Sequence, residues 1–232
     1  AVRTRRRGGT APETTAGAVV VATGDWGSPN RLGVPGEDLP HVSHAYLEGH
    51  YAFQQPAIVV GGGNSAAEAA LELWRAGAQV TLVHFGPTFD KKIKPWILPD
   101  LENRIAEGSI AARWNRRLAA IESDWVVVRG VDGVVERLRA DHVFLLTGFA
   151  PNVDLLRASG VAIDPGTGIP AHNAVTLETN VPGLFIAGVV VAGFDANKVF
   201  IENGRYHGER IAARLLGRPA PETPGVSRDL DS

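Results

Sequence analysis

Short apolar runs alternate with stretches of helical periodicity along this chain. Residues 18–22 are continuously apolar and end at Gly24, which predicts a strand buried on both faces. Residues 57–60 form a similar run that enters Gly61-Gly62-Gly63. The spacing of Ala67, Ala70, Leu71 and Trp74 then predicts a helix, capped by Asn64 or Ser65 and closed by a left-handed Gly77. Residues 79–83 form the next strand, so these elements make a β-α-β unit with parallel strands and a right-handed crossover.

A second helix is expected from Pro99 to Gly108, with Leu101 and Ile105 facing inward. Asp132-Gly133, between residues 125–128 and 134–135, reads as a hairpin turn. Buried strands follow at 143–146, ending in Thr147-Gly148, and at 184–188. One continuous helix is expected from 199 to 216, stopped by Gly217 and Pro219. Residues 1–24 read as a β-hairpin turning at Gly8-Gly9 and Pro12, and the tail after 218 reads as disordered because it is rich in Pro and charge.

Composition narrows the function classes. The chain has 232 residues, 44% hydrophobic and 21% charged, which fits one large globular domain or two small ones. A formal net charge of -2 argues against general attraction to nucleic acid or membrane lipid. The cluster Arg3, Arg5, Arg6 and Arg7 has no aromatic neighbours on which bases could stack. No apolar run approaches the roughly twenty residues that span a bilayer, and no signal peptide is visible, so a cytoplasmic location is expected. There is no Cys, which excludes thiolate catalysis and Cys-ligated metal within this chain. There is also no Met, even at position 1, so the expectation is either processing or a start inside a longer protein.

The central chemical signal is Gly61-x-Gly63-x-x-Ala66, placed directly after a strand and opening a helix. Gly61 makes the tight turn, Gly63 lets a pyrophosphate approach the backbone, and Ala66 allows close packing of helix on strand. The helix N-terminus offers N–H groups and a positive dipole end to phosphates. Gly61, Gly62, Gly63, Asn64, Ser65 and Ala66 are therefore the candidate NAD(P)-binding loop. After the next strand stands His84-Phe85-Gly86, with neither the carboxylate that would bind a ribose 2′-OH nor an arginine for a 2′-phosphate. Lys91, Lys92 and Lys94 follow closely, so NADPH is preferred on charge grounds, with NADH possible. Ala22-Thr23-Gly24 and Leu146-Thr147-Gly148 both end apolar strands in small residues, which suits close passage of a cofactor.

The order of these motifs resembles the thioredoxin reductase-like flavoproteins, in which a flavin domain is interrupted by a nicotinamide domain. The matching pieces are Ala22-Thr23-Gly24, Gly61 to Ala66, Leu146-Thr147-Gly148 and Pro182 to Gly188. A narrower resemblance, to the bacillithiol disulfide reductase family, rests on five segments. They are Gly33 to Pro40, Glu48-Gly49-His50, Gly61 to Ala66, Ile93 to Pro99 and Phe200 to Arg205. The resemblance implies an α/β fold of two Rossmann-like dinucleotide-binding domains of the three-layer β/β/α type, the flavin domain incomplete. The nicotinamide domain would run over 47–148, with flavin-domain parts at 1–46 and 149–218 and a tail at 219–232.

It further implies hydride transfer from NADPH to FAD and on to a low-molecular-weight disulfide, in a protein that could be a homo-oligomer. Flavin contacts are implied for Ala22, Thr23, Gly24, Gly188, Val189, Lys198, Phe200 and Ile201, and nucleotide contacts extend to His84, Lys91, Lys92 and Gly148. Four departures stand out. Residues 41–50 carry no Cys-x-x-Cys, so a dithiol relay of the thioredoxin reductase kind is absent. Val189 stands where many flavoproteins have Asp, and Phe85 where related reductases usually have Arg. The opening flavin-binding glycine motif and the family's candidate reactive Cys would lie outside this chain. A flavin-dependent monooxygenase and a non-catalytic nucleotide-binding fragment remain open, because fold and motifs do not fix the electron acceptor.

His41, His44 and His50 lack the spacing of a metal-ligand set and read as linker packing or a contact near the nicotinamide. Gly204 and Gly208 lie four apart in the expected last helix, where a glycine costs about 1 kcal/mol, so close approach to flavin, to a strand or to a partner subunit is expected there. Lys198 and Glu202 read as an exposed i,i+4 pair.

Overall fold

The computed structural model describes residues 2–3, 9, 13–90 and 93–221. The expected turn at Gly8 and Pro12, the cluster Arg5 to Arg7, Lys91, Lys92 and most of the expected disordered tail lie outside the described residues. The chain divides into two compact units, residues 29–148 and residues 1–28 with 149–232.

The central unit is built on a five-stranded sheet. Its strands are β4 (Val42–Ser43), β5 (Pro56–Val60), β6 (Gln79–Val83), β7 (Ala111–Arg113) and β11 (His142–Leu145), in the order β4-β11-β5-β6-β7. All neighbours are parallel. Such a sheet is covered on both faces, which explains the unbroken apolar run of β5. Side chains alternate along it. Ala57 and Val59 pack with α1 (Asn64–Arg75) and α2 (Leu98–Ala106), in a core with Ala67, Ala70, Leu71, Leu82 and Leu101. Ile58 and Val60 pack against a second sheet through Leu118, Ile121, Val126, Val128 and Leu138. That second sheet is antiparallel, ordered β10 (Val135–Arg139), β9 (Trp125–Gly130), β8 (Arg116–Ile121). The result is three layers, antiparallel sheet on parallel sheet on helices.

Several differences from the expectations have physical causes. Helix α1 starts after Gly63 with no side-chain cap; the Asn64 Oδ1 instead accepts from the Lys94 N–H at 2.8 Å. Strands β7 and β8 were not expected because 111–121 is rich in Ala and Arg, whereas strand signals rest on β-branched and aromatic residues. Residues 29–46, expected with the first segment, belong to the central unit. Their β4 pairs with β11, and the Ile121 N–H donates to the Pro35 carbonyl at 2.8 Å.

In the other unit, β1 (Val2–Arg3) pairs antiparallel with β2 (Glu13–Thr14), and β3 (Val19–Val21) pairs parallel with β12 (Leu184–Ile186). Residues 18–22 were expected to be buried on both faces, yet Val20 is 46% exposed while Val21 is buried. In the two-stranded sheet β12-β3, the Val21 and Ile186 side is covered by Leu156 of α3 (Asp154–Ala158), Val161 and Val190, whereas on the opposite side Phe185 is buried against Leu177 and Ile211 and its strand partner Val20 is left exposed. The expected continuous last helix is broken. Residues Ala196–Lys198 form a 3-10 turn, and α4 (Ile201–Gly204) is a single turn separated from α5 (His207–Leu215) by Arg205 and Tyr206. Asn203 explains part of the break. Its Oδ1 accepts from the Phe200 N–H at 2.8 Å, and its Nδ2 donates to the Lys198 carbonyl at 2.9 Å. Side-chain bonds of this kind compete with helix continuation. No described helix is long and apolar enough to cross a membrane.

Candidate functional site

The strand ends β5 and β6 and the start of α1 converge on Gly61 to Ala66. Gly61 has φ +149°, and a Cβ there would meet the Leu146 carbonyl of the neighbouring strand end. Only glycine makes this turn without strain and collision. Gly62 is constrained differently: a Cβ would collide with the His84 ring, which is buried. At Gly63, whose backbone is extended, a Cβ would lie 3.5 Å from Asp90 Oδ2. Ala66 is fully buried, as close helix–strand contact requires. The first bond of the helix runs from the Ala67 N–H to the Gly63 carbonyl at 3.1 Å, so the Ser65 and Ala66 N–H groups belong to the set of first-turn donors that an α-helix does not bond internally.

His84 closes the underside of this loop. Its N–H donates to the Arg113 carbonyl and its carbonyl accepts from the Arg116 N–H, both at 3.0 Å. The ring lies edge-on to Trp114 at 6.1 Å, and its Nε2 is 3.8 Å from Asp90 Oδ1. Burial lowers its pKa from the ordinary 6.5, against a smaller upward pull from Asp90, so the ring is neutral at pH 7. Its Nδ1 is buried without a hydrogen-bond partner among the described residues. A glycine cradle with a polar atom at its base and helix N–H groups at its rim fits a pyrophosphate. Asp90 ties the following loop to the cradle by donating its N–H to the Gly62 carbonyl at 3.1 Å; the glycine pattern carried no signal for it.

Gly148 is held at the exit of β11. It has φ +86°, its carbonyl accepts from the Asn30 N–H at 2.9 Å, and the Thr147 Oγ1 donates to the Asn30 carbonyl at 2.7 Å. Lys94, expected to be available for a phosphate, pairs with Glu68 at 2.7 Å.

In the outer unit, the carboxyl ends of β3 and β12 are neighbours, since Val21 pairs with Ile186. Ala22, Thr23 and Gly24 leave one, and Gly188 and Val189 leave the other. Gly24 and Gly188 have φ +70° and +72°, and a Cβ at either would meet open space. Glycine is thus set here by backbone conformation, and the space in front of both can admit a ligand. The Gly188 N–H donates to His207 Nδ1 at 3.0 Å, a relationship that no spacing along the chain signals. Burial is the main cause holding His207 below its ordinary pKa, with Arg210 and His172 adding to it.

Three expectations change at this end. Phe200 and Ile201 are exposed at the start of a single helical turn, so the dipole of a long helix is not available there. Lys198 pairs with Asp195 at 3.7 Å rather than with Glu202, because the two expected partners do not share a helix. Gly204 approaches Gly188, whose Cα would lie 3.8 Å from a Cβ on residue 204, but a Cβ on Gly208 would meet nothing. Of the three histidines in the linker, His44 lies 3.4 Å from Glu37 and His50 2.8 Å from Glu48.

Comparison with known proteins agrees with this construction. Residues 7–188 match the family model described as pyridine nucleotide-disulphide oxidoreductase. The chain is 45% identical over 199 residues to bacilliredoxin reductase Bdr of Bacillus subtilis (strain 168), covering 86% of this chain but 61% of that protein. It therefore spans about three-fifths of the length of that curated relative. A thioredoxin reductase of Escherichia coli O157:H7 is 30% identical, covering 77% of this chain and 58% of its own length. Among solved structures, bacillithiol disulfide reductase Bdr from Bacillus cereus superposes with a TM-score of 0.89 at 40% identity, over 94% of this chain and 67% of that one. With the three-layer unit and its glycine cradle in hand, these matches mean that the chain belongs to the pyridine nucleotide-disulphide oxidoreductase family.

Proposed function

We propose that this chain is the nucleotide-handling part of an enzyme that passes hydride from NADPH through FAD to a low-molecular-weight disulfide such as bacillithiol disulfide. The net reaction is NADPH plus a proton plus the disulfide giving NADP⁺ and two thiols. The observation that carries the reading is the cradle of Gly61, Gly62 and Gly63 closed from below by the neutral His84. The name of the B. cereus relative, bacillithiol disulfide reductase, supports the choice of disulfide.

In this reading the N–H groups of Ser65 and Ala66 bind the nucleotide's pyrophosphate, and Gly61 and Gly148 keep the strand ends bare beside it. Neutral His84 offers a hydrogen bond from below without adding charge to the cradle. Ala22, Thr23, Gly24, Gly188 and Val189 line the flavin side, where His207 fixes the Gly188 peptide by accepting its N–H. FAD, when bound, supplies the step between two-electron hydride chemistry and disulfide cleavage. The chain contains no Cys, so none of its own side chains can form a mixed disulfide with the substrate.

The test is a visible spectrum of the purified chain with FAD, after desalting and again after anaerobic NADPH. A retained flavin band that bleaches is the expected result for this chain, and NADPH oxidation that depends on added bacillithiol disulfide is expected once the chain is joined to the segment that carries the reactive Cys. A colourless protein overturns flavin binding by this chain. NADPH-driven oxygen uptake with a hydroxylated product would replace the disulfide reading with a monooxygenase.

A further inference from the structure

The end of β6 is where a dinucleotide's adenosine ribose is read, and Phe85 stands there in place of a charged residue. Phe85 is 56% exposed and follows His84, so it lies one step outward from the cradle. The guanidinium of Arg117, from β8, sits over its ring at 4.8 Å. This placement follows from the backbone, because the preceding residue Arg116 donates its N–H to the His84 carbonyl. The strand register sets Arg117 directly opposite Arg129 of β9. Directly paired residues point to the same face of a sheet, with Cβ atoms roughly 5 Å apart, and like charges in that position repel.

The neighbouring arginines are all neutralised. Arg113 makes two bonds to Glu136 at 2.9 and 3.0 Å, Arg116 two to Asp132 at 3.0 and 3.1 Å, Arg137 pairs with Glu122, and Arg139 pairs with Asp141 at 3.2 Å. Arg117 and Arg129 are both exposed and have no carboxylate partner among the described residues. Two directly paired arginines without a carboxylate partner, one of them over the ring that follows His84, are an anion site in composition and position.

Resting on the nucleotide reading above, we propose that Arg117 and Arg129 recognise the 2′-phosphate of NADPH, with Phe85 holding the Arg117 guanidinium in place. The aromatic residue at position 85 then has a positioning role, ordering a cation delivered from another strand. Lys94 is not needed for this, since it is paired with Glu68. Bringing a dianionic phosphate between Arg117 and Arg129 also relieves their mutual repulsion.

The experiment is calorimetric titration of the full chain with 2′,5′-ADP and with 5′-ADP, on the wild type and on R117A, R129A and F85A. The wild type is expected to prefer 2′,5′-ADP. R117A and R129A should each weaken that ligand roughly ten- to hundredfold, the loss of a charge-assisted bond, and leave 5′-ADP unchanged. F85A should give a smaller loss on the same ligand only. R117K keeps the charge without the planar fork and should fall between wild type and R117A. A wild type without preference, or variants that keep it, overturns this subsite while leaving the cradle reading intact. A wild type that binds neither ligand overturns both. Unchanged thermal unfolding of the variants excludes misfolding as the cause of a loss.

Discussion

The imidazole of His84 occupies the space that a side chain on residue 62 would need. Ring and loop are therefore one packing unit, and neither changes alone. Gly62→Ala is expected to cost about 1–3 kcal/mol, as overpacking of a filled site does. It should also weaken nucleotide binding, because the cradle must shift. The double variant Gly62→Ala with His84→Ala removes the obstacle, so its loss should be smaller than the sum of the singles. Chemical denaturation of the four proteins measures this, and strict additivity would mean that ring and loop do not press on each other.

Glu37 is buried, and its carboxylate accepts from the backbone N–H groups of Leu32 at 2.9 Å and Gly33 at 2.7 Å. Glu37→Ala strands both donors. Both bonds are part-buried and end on a charged acceptor, whose loss costs about 1–3 kcal/mol, so a loss within that range is expected in urea unfolding. A change below about 0.5 kcal/mol, typical of a surface site, would contradict the role.

Gly188 separates backbone strain from ligand space. Its φ of +72° penalises any other residue by about 1–2 kcal/mol, yet a Cβ would touch nothing. Gly188→Ala should therefore lose no more than that backbone penalty of about 1–2 kcal/mol in stability while losing retained flavin. Retention equal to wild type after desalting would show that no cofactor passes this position.

Acid should weaken the fold through three histidines. His84, His142 and His207 are all held below their ordinary 6.5, chiefly by burial. The unfolded chain then binds more protons than the folded one just below that value. The stability they confer is complete above 6.5 and is lost as pH falls through their lowered folded values. Glu48, Asp132, Asp164 and Glu178 are also lowered, from 4.5 or 3.8, and add their losses only in stronger acid. Unfolding midpoints should thus drop between about pH 7 and about pH 5.5, before carboxylates titrate. A flat profile over that interval would mean the histidines protonate without penalty.

Leu101 anchors α2 and is fully buried among Ile97, Ile110 and the residues of α1. Leu101→Ala should cost about 2–5 kcal/mol by leaving a cavity. Thermal unfolding tests this; a shift of a degree or less would place the helix outside the cooperative core.

Much of the central unit was legible in the sequence because its signals are local. The apolar run at 57–60, the glycine turn, and the spacing of Ala67, Ala70 and Leu71 each point to one element, and the structure forms those elements there. Helix α2 was legible for the same reason, with Pro99 in its first turn. What stayed hidden depended on distant partners. Ala111–Arg113 is a strand because β6 offers it a parallel edge, not because its side chains favour one. The interruption before α4 depends on Asn203, whose two side-chain bonds to Lys198 and Phe200 are invisible to helical periodicity. At the candidate site the glycines announced themselves, whereas Arg117 did not. Its importance arises from a strand register and from Phe85, which as a sequence letter argued against a phosphate.

The bonds joining Asn30 to Thr147 and Gly148 set the two ends of the central unit side by side. A segment whose entry and exit meet can be lifted out of one polypeptide and spliced into a surface turn of another without stretching its host. Its own layers, cradle and basic strand pair all lie between those two points. Such a segment is portable, and it makes a natural cassette for transplanting nucleotide preference between proteins.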